Sequence, residues 1–185
     1  MNHSEILSTL KIDLSIASRK KAKNDILDAN ISAKELLSFI SNTDERNQVL
    51  FICVLDYIIE DQPKYLDNSI TEFISFQQQT KNETCKRTTS RIVYNLLENN
   101  HTIFSNQQKD ILINIHFDWL ISKSSVATRV NCLSVLFELR NEAEWITTEL
   151  LAVIDHQMQL QEPSFVSRAK KILIKIRKQN KKINI

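Results

Sequence analysis

An arginine returns about every forty residues in this chain, each time at the start of an apolar helical pattern. The four arginines are Arg46, Arg87, Arg129 and Arg168, and they are separated by 41, 42 and 39 residues. Another helical pattern precedes each of them by about twenty residues. A period near forty residues is typical of proteins that stack pairs of helices. The sequence therefore predicts an all-α fold in which the helix pairs form an α-α superhelix.

The composition supports this prediction, because the 185 residues include no glycine. Glycine supplies the left-handed backbone conformations of hairpin turns and phosphate-binding loops. Its absence is evidence against β-hairpins, dinucleotide-binding turns and phosphate loops. The two prolines, Pro63 and Pro163, each precede a helical pattern, and proline is favoured in the first turn of a helix.

The helical patterns come in pairs, and four pairs follow one another from Ser32. Patterns occur over about 4–10, 14–29, 32–41, 44–60, 63–79, 84–98, 105–122, 126–139, 145–160 and from 163 onward. Ser32 to Glu35 and Ser105 to Gln108 are capping boxes, which start helices. We interpret 1–185 as a single domain, with capping helices over 1–31, four helix pairs over 32–182 and a tail over 183–185. Arg19 suggests a truncated first repeat within the capping helices.

Apolar or small residues stand three, four, six and seven positions after two of the arginines. They are Cys132, Leu133, Val135 and Leu136 after Arg129, and Val49, Leu50, Ile52 and Cys53 after Arg46. An arginine at the start of the second helix, followed in this way, resembles the HEAT and armadillo-like α-solenoid repeats over about residues 32–180. The resemblance implies that the second, or B, helices line a concave surface that binds another protein.

The arginines have two interpretations. In the first, each guanidinium bridges the turns of adjacent repeats, which suits its planar set of donors. In the second, the arginines line a surface that binds an anionic partner. The candidate binding residues under the second interpretation are Arg46, Arg87, Arg91, Arg129, Arg168, Lys171 and Lys175.

The net charge of +2 is unevenly distributed along the chain. From Pro163 onward there are eight basic residues and no acidic ones: Arg168, Lys170, Lys171, Lys175, Arg177, Lys178, Lys181 and Lys182. This segment has two interpretations. It is a site that binds nucleic acid or an acidic surface of another protein, or it is a solvated terminal helix that keeps the end of the repeat array soluble.

The densest group of reactive side chains is His116, Asp118 and Trp119. His116 and Asp118 are two residues apart on a predicted helix, so they point in different directions and form no acid–base couple. The HEAT-like alkylpurine DNA glycosylases use an aspartate and aromatic side chains in a basic groove. Asp118, Trp119 and Trp145 lack the matching arrangement on a B helix, so no catalytic residue is carried over.

No spacing of histidines and cysteines typical of a metal site occurs, and we predict no metal and no cofactor. Three scattered cysteines, Cys53, Cys85 and Cys132, predict buried reduced thiols and a cytoplasmic location. No signal peptide or membrane-spanning segment is evident. The frequent isoleucine, asparagine and lysine indicate an AT-rich bacterial genome.

These observations predict a non-catalytic scaffold or interaction module that binds another protein on its concave face. The alternative is a nucleic-acid-binding HEAT-like protein, with or without base-excision activity on DNA.

Overall fold

The computed structural model describes residues 2–99 and 104–183, with side chains up to residue 179. Within those ranges the chain forms ten α-helices and one short 3-10 helix, with no strand, so the predicted all-α class is confirmed. None of these helices is both long enough and apolar enough to cross a bilayer. The sequence Asn99-Asn100-His101 also predicts the end of the helix over 84–98. Asn100, His101 and the last residues of the predicted tail lie outside the described residues.

The chain divides into two compact units, Met1–Gln108 and Lys109–Ile185. Each unit contains helices in the predicted pairwise order, which agrees with the stacked-pair prediction. The single domain over 1–185 and the superhelical shape stay predictions.

The first unit contains three helix pairs. Its helices are α1 His3–Thr9, α2 Ile16–Asp28, α3 Ala33–Asn42, α4 Glu45–Asp61, α5 Ile70–Gln79 and α6 Glu83–Glu98. The first helices of the pairs pack in the order α1, α3, α5, and the second helices pack in the order α2, α4, α6. Because α4 lies between α2 and α6, residues 50–56 are all buried. The predicted capping helices over 1–31 therefore pack on the next pair in the same way as the later pairs do.

Polar side chains start the helices of the first unit. The side-chain oxygens of Ser15, Ser32, Asp44 and Asn82 each accept a hydrogen bond from a backbone N–H of the first turn. Such caps satisfy donors that have no partner within the helix. The predicted capping box of Ser32 and Glu35 is confirmed, because Glu35 Oε2 also accepts from the Ser32 backbone N–H at 2.9 Å.

The single helix predicted over about 63–79 is wrong. Pro63–Leu66 is a 3-10 helix, and α5 begins only at Ile70. The backbone N–H of Asp67 bonds to the carbonyl of Lys64, and that of Ser69 bonds to the carbonyl of Leu66. These three-residue steps end the first helix, and Asp and Asn at 67 and 68 favour a turn there. The Tyr65 hydroxyl donates to the carbonyl of Ile31 at 2.7 Å and fixes the short helix on the preceding pair.

Side-chain hydrogen bonds in the first unit join residues that are about one period apart. The bonded pairs, 34 to 38 residues apart, are Lys23 with Asp61, Tyr65 with Ile31, Asn82 with Glu45, Arg91 with Asp56, and Gln108 with Thr71. The spacing arises because corresponding positions of consecutive helix pairs lie side by side. These polar contacts therefore span nearly the same number of residues as the interval between the recurring arginines.

The second unit contains most of α7, Asn106–Ile121, followed by α8 Val126–Leu139, α9 Glu144–Met158 and α10 Pro163–Ile183. Helix α8 packs on both α9 and α10, and α9 packs on α10. Pro163 is the first residue of α10, as predicted. One face of α10 is buried in the unit through Phe165, Ala169, Ile172 and Ile176.

The capping box at α3 predicts a pH effect. The pKa of Glu35 is lowered to about 2 by hydrogen bonds from the Ser32 side chain, the Ser32 backbone and His3. A carboxyl group with a lowered pKa in the folded state adds stability that is complete above its unfolded pKa of 4.5 and is lost as the pH falls through about 2. We therefore expect Glu35→Gln to flatten the dependence of unfolding free energy on pH between 4.5 and 2. Identical curves for the variant and the parent in urea titrations would contradict this.

Candidate protein-binding surfaces

Arg46 and Arg87 lie on the exposed surface of the first unit. Arg46 is in the first turn of α4, where it lines a groove of about 520 Å³ together with Leu14, Val49 and Asn82. Leu14 is 68% exposed, so this Arg46 groove has an apolar wall. Arg87 is exposed on α6, one turn before Arg91. Both side chains are accessible to a partner, as the binding interpretation requires.

Arg91 forms an ion pair with a buried carboxylate. Its guanidinium pairs with Asp56 of α4, and Nε lies 3.3 Å from Oδ1. The Asp56 side chain is only 2% exposed, whereas that of Arg91 is 50% exposed. Removing the partner of a buried charge is strongly destabilising. Arg91 therefore joins α4 to α6, and a ligand that drew it away would leave Asp56 without a counter-ion.

Arg129 is buried, and all the polar nitrogens of its guanidinium are hydrogen-bonded. Nε donates to the Ser124 carbonyl at 3.2 Å and Nη1 to Gln157 Oε1 at 3.1 Å. Nη2 donates to both carboxylate oxygens of Glu162, at 2.7 and 2.5 Å. The guanidinium also lies over the Phe165 ring. It thus joins the turn before α8, helix α9 and the residue before α10, which is the bridging role of the first interpretation.

The remaining predicted residues lie on α10. Arg168 is half-buried, whereas Lys171 and Lys175 are exposed. Lys175 Nζ lies 5.3 Å from the centre of the Phe137 ring of α8. With Lys178, the three follow steps of three, four and three residues and form one stripe along the helix. We call Arg168, Lys171, Lys175 and Lys178 the basic stripe.

The second unit has a groove that the sequence analysis missed. It has a volume of about 620 Å³ and lies between the C-terminal end of α7 and the second half of α9. Ile121, Val153 and Leu160 supply its apolar surface, and Arg129 and Gln157 are buried beside it. Ile121 is 63% exposed and Leu160 is 61% exposed. We call this the α7–α9 groove.

The charged residues of the α7–α9 groove are basic. Lys123 lines it and is exposed, and Arg129 is neutralised by Glu162. None of the residues that line the groove is acidic. The groove therefore combines large exposed apolar side chains with a positive charge.

An aromatic pair extends the apolar surface beyond the groove. Trp145, in the first turn of α9, is 49% exposed, and its ring centre lies 5.6 Å from that of Phe117 on α7. Trp145, Ala152 and His156 follow one another at steps of seven and four residues, so they lie on the same side of α9. Exposed tryptophan is enriched among the residues that dominate the energy of protein interfaces.

His116 and Asp118 do not meet. His116 is fully buried, where Nδ1 bonds to the Leu112 carbonyl at 2.7 Å, whereas Asp118 is exposed. Burial lowers the pKa of His116 to about 4, so the imidazole is neutral at pH 7. His116 also packs on Trp119, with ring centres 5.6 Å apart. His116 and Trp119 therefore belong to the buried packing of α7, whereas Asp118 faces the solvent.

The three cysteines are free and buried, as predicted. Burial is the main cause that raises the pKa of Cys85, to about 11, so its thiol is protonated at neutral pH and unreactive. In the described part of the chain, no three histidine, cysteine or acidic side chains are grouped closely enough to hold a metal ion.

Comparison of the chain with protein-family models, with curated proteins and with solved structures gives no match in any of the three. The resemblance to HEAT and armadillo-like repeats therefore stays a prediction.

Proposed function

We propose that this protein is a HEAT-like interaction module that binds a partner protein through the α7–α9 groove. The observation that carries the proposal is the exposure of Ile121 and Leu160 on either side of this groove. Contiguous exposed apolar surface bordered by polar residues is a mark of an interaction site. The partner binds non-covalently and covers the Ile121 and Leu160 side chains.

The groove favours an acidic amphipathic helix as the segment that binds. Such a helix places apolar side chains in a groove at steps of three and four residues. Its acidic side chains meet Lys123, and no acidic lining residue repels them. Glu149 lies on the same side of α9 as Trp145, between Trp145 and the groove. Because Glu149 repels acidic side chains, we expect the acidic end of the partner helix to bind at Lys123.

The surface expected from the sequence is the concave face lined by the B helices, and Arg46 and Arg87 are two of its predicted contacts. The α7–α9 groove is preferred because it exposes two large apolar side chains beside an excess of positive charge. A cytoplasmic location is part of the proposal and rests on the three reduced thiols.

The test uses two synthetic helical peptides of about fifteen residues with the full chain. The acidic peptide has leucines on one face and glutamates elsewhere, and the basic peptide has lysine in place of every glutamate. We expect the acidic peptide to bind more tightly by isothermal titration calorimetry. Lys123→Glu should weaken the acidic peptide and strengthen the basic one, since it reverses the charge of the groove.

Leu160→Asp should weaken the acidic peptide at least tenfold, about 1.4 kcal/mol, because it removes an apolar contact and adds a like charge. Leu14→Asp is the matched control, since it makes the same change at a similarly exposed leucine in the Arg46 groove. A larger loss with Leu14→Asp than with Leu160→Asp would refute the groove, and so would absence of binding by either peptide.

A further inference from the structure

The charged surface of α10 consists only of cations. Five exposed basic residues lie on its described part: Lys170, Lys171, Lys175, Arg177 and Lys178. Arg168 is half-buried at the edge of the same surface. From Pro163 to the last residue the sequence contains no Asp or Glu. The helix is amphipathic, because its opposite face is buried against the second unit.

Several exposed cations of α10 lack an acidic partner within the described part of the chain. Among the residues that the structure describes, no acidic side chain forms an ion pair with Lys170, Lys171, Arg177 or Lys178. Glu162, the acidic residue closest to the start of the helix in sequence, is engaged by Arg129. Like charges this close repel one another, and a polyanion relieves that repulsion.

The basic stripe also has the dimensions of a phosphate-binding edge. Arg168 and Lys178 are ten residues apart, which is about 15 Å along a helix. Each strand of duplex DNA carries one phosphate charge for roughly every 3.4 Å of the helix axis, so about four phosphates of one strand lie within that length. Four contacts at successive helical turns are therefore available to one stretch of backbone.

The surface is suited to the nucleic-acid backbone rather than to the bases. Proteins that bind single strands stack bases on exposed aromatic side chains. The aromatic residue of α10 is Phe165, and it is fully buried. A duplex presents its phosphates without unstacking, and it needs only cations in a row.

We propose that α10 binds the phosphate backbone of duplex nucleic acid without sequence preference, through the four side chains of the basic stripe. This site lies on a different helix from the α7–α9 groove, and it does not depend on the function proposed for that groove.

The experiment measures binding of the full chain to a fluorescent 20-base-pair DNA duplex by anisotropy. Four phosphate contacts predict that affinity falls roughly 100-fold between 50 and 200 mM salt. The variant K171Q/K175Q/K178Q should reduce the slope of log affinity against log salt by about 2.7. The double variant K171Q/K178Q spares the contact of Lys175 with Phe137 and should give about two-thirds of that reduction, so a folding defect in the triple variant leaves the test intact.

The matched control is K11Q/K20Q/K21Q, which removes the same charge from exposed lysines of the first unit. We expect its salt slope to equal that of the parent. Equal effects of the two triple variants would show attraction by net charge alone and would overturn the proposal. It would equally be overturned by absence of binding at 50 mM salt, or by a polyglutamate peptide or anionic lipid vesicles that compete as well as unlabelled duplex at equal charge.

Discussion

Replacing Arg129 with alanine is expected to lower the free energy of unfolding by about 3 kcal/mol. The substitution leaves Gln157, Glu162 and the Ser124 carbonyl without their donor at a position where the arginine is only 7% exposed. An unsatisfied buried polar group costs about 1–3 kcal/mol, and Glu162 would lose its counter-ion as well. Urea denaturation of the full chain, followed by circular dichroism, measures the change.

Arg46→Ala is the control for Arg129→Ala, because both arginines occupy the same position in the forty-residue period. Arg46 is exposed, and substitutions at such surface positions usually change stability by about 0.5 kcal/mol or less. Equal losses at the two positions would show that exposure does not decide the role of the arginine, contrary to this interpretation.

Lowering the pH from 7 to 4 is expected to cost about 3 kcal/mol through His116 alone. Burial lowers its pKa from 6.5 to about 4 in the folded chain. Between these values the unfolded chain binds a proton that the folded chain does not. The contribution to stability is therefore complete above pH 6.5 and declines until the pH reaches about 4.

His116→Leu isolates this contribution, because leucine has a similar volume and no proton to bind. The other titrating groups affect parent and variant alike, so the difference between their unfolding free energies should change by about 3 kcal/mol across the window. Among the residues that the structure describes, none is a hydrogen-bond partner of His116 Nε2, so its loss leaves no described acceptor or donor unpaired at that side of the ring. A constant difference between pH 7 and 4 would contradict the buried neutral imidazole.

Much of the fold follows from local sequence signals. Capping residues such as Ser32 and Asp44 mark the starts of α3 and α4, and both accept the expected hydrogen bonds. The arginine period predicts pairs of helices, and several polar contacts of the first unit join residues about one period apart. These features depend on a few neighbouring residues and on regular spacing, so the sequence alone reveals them.

The break between Pro63 and Ile70 depends on a contact that local pattern does not show. Leu66, Ile70 and Phe73 follow a helical stripe, and all three are buried as that stripe predicts. The hydrogen bond from Tyr65 to the carbonyl of Ile31 comes from a residue 34 positions away. The helical stripe therefore concealed both the turn-forming Asp67 and Asn68 and this distant contact.

The roles of the recurring arginines also depend on distant partners. Arg46 and Arg129 look alike in sequence, yet one is exposed and the other is enclosed by Gln157, Glu162 and Phe165. Glu162, just before Pro163, is the one local signal for this difference, since a carboxylate near the turn can reach the arginine of the preceding pair.

The α7–α9 groove was missed because its residues lie at the ends of predicted helices. Ile121 is the last residue of α7, and Leu160 follows the end of α9. Neither residue continues the buried stripe of its helix. An apolar side chain outside that stripe was the sequence signal that could have indicated an exposed apolar surface. Trp145 was a similar signal, because it lies outside the stripe of Ile146 and Leu150, which are fully buried on the same helix.

Methyl NMR of the full chain during titration with the acidic helical peptide tests the proposed binding surface most directly. The account predicts that the shift changes concentrate at the methyl groups of Ile121, Val153 and Leu160, while those of Leu14 and Val49 in the Arg46 groove remain unchanged. Shift changes confined to Leu14 and Val49 would place the partner on the first unit and contradict the account.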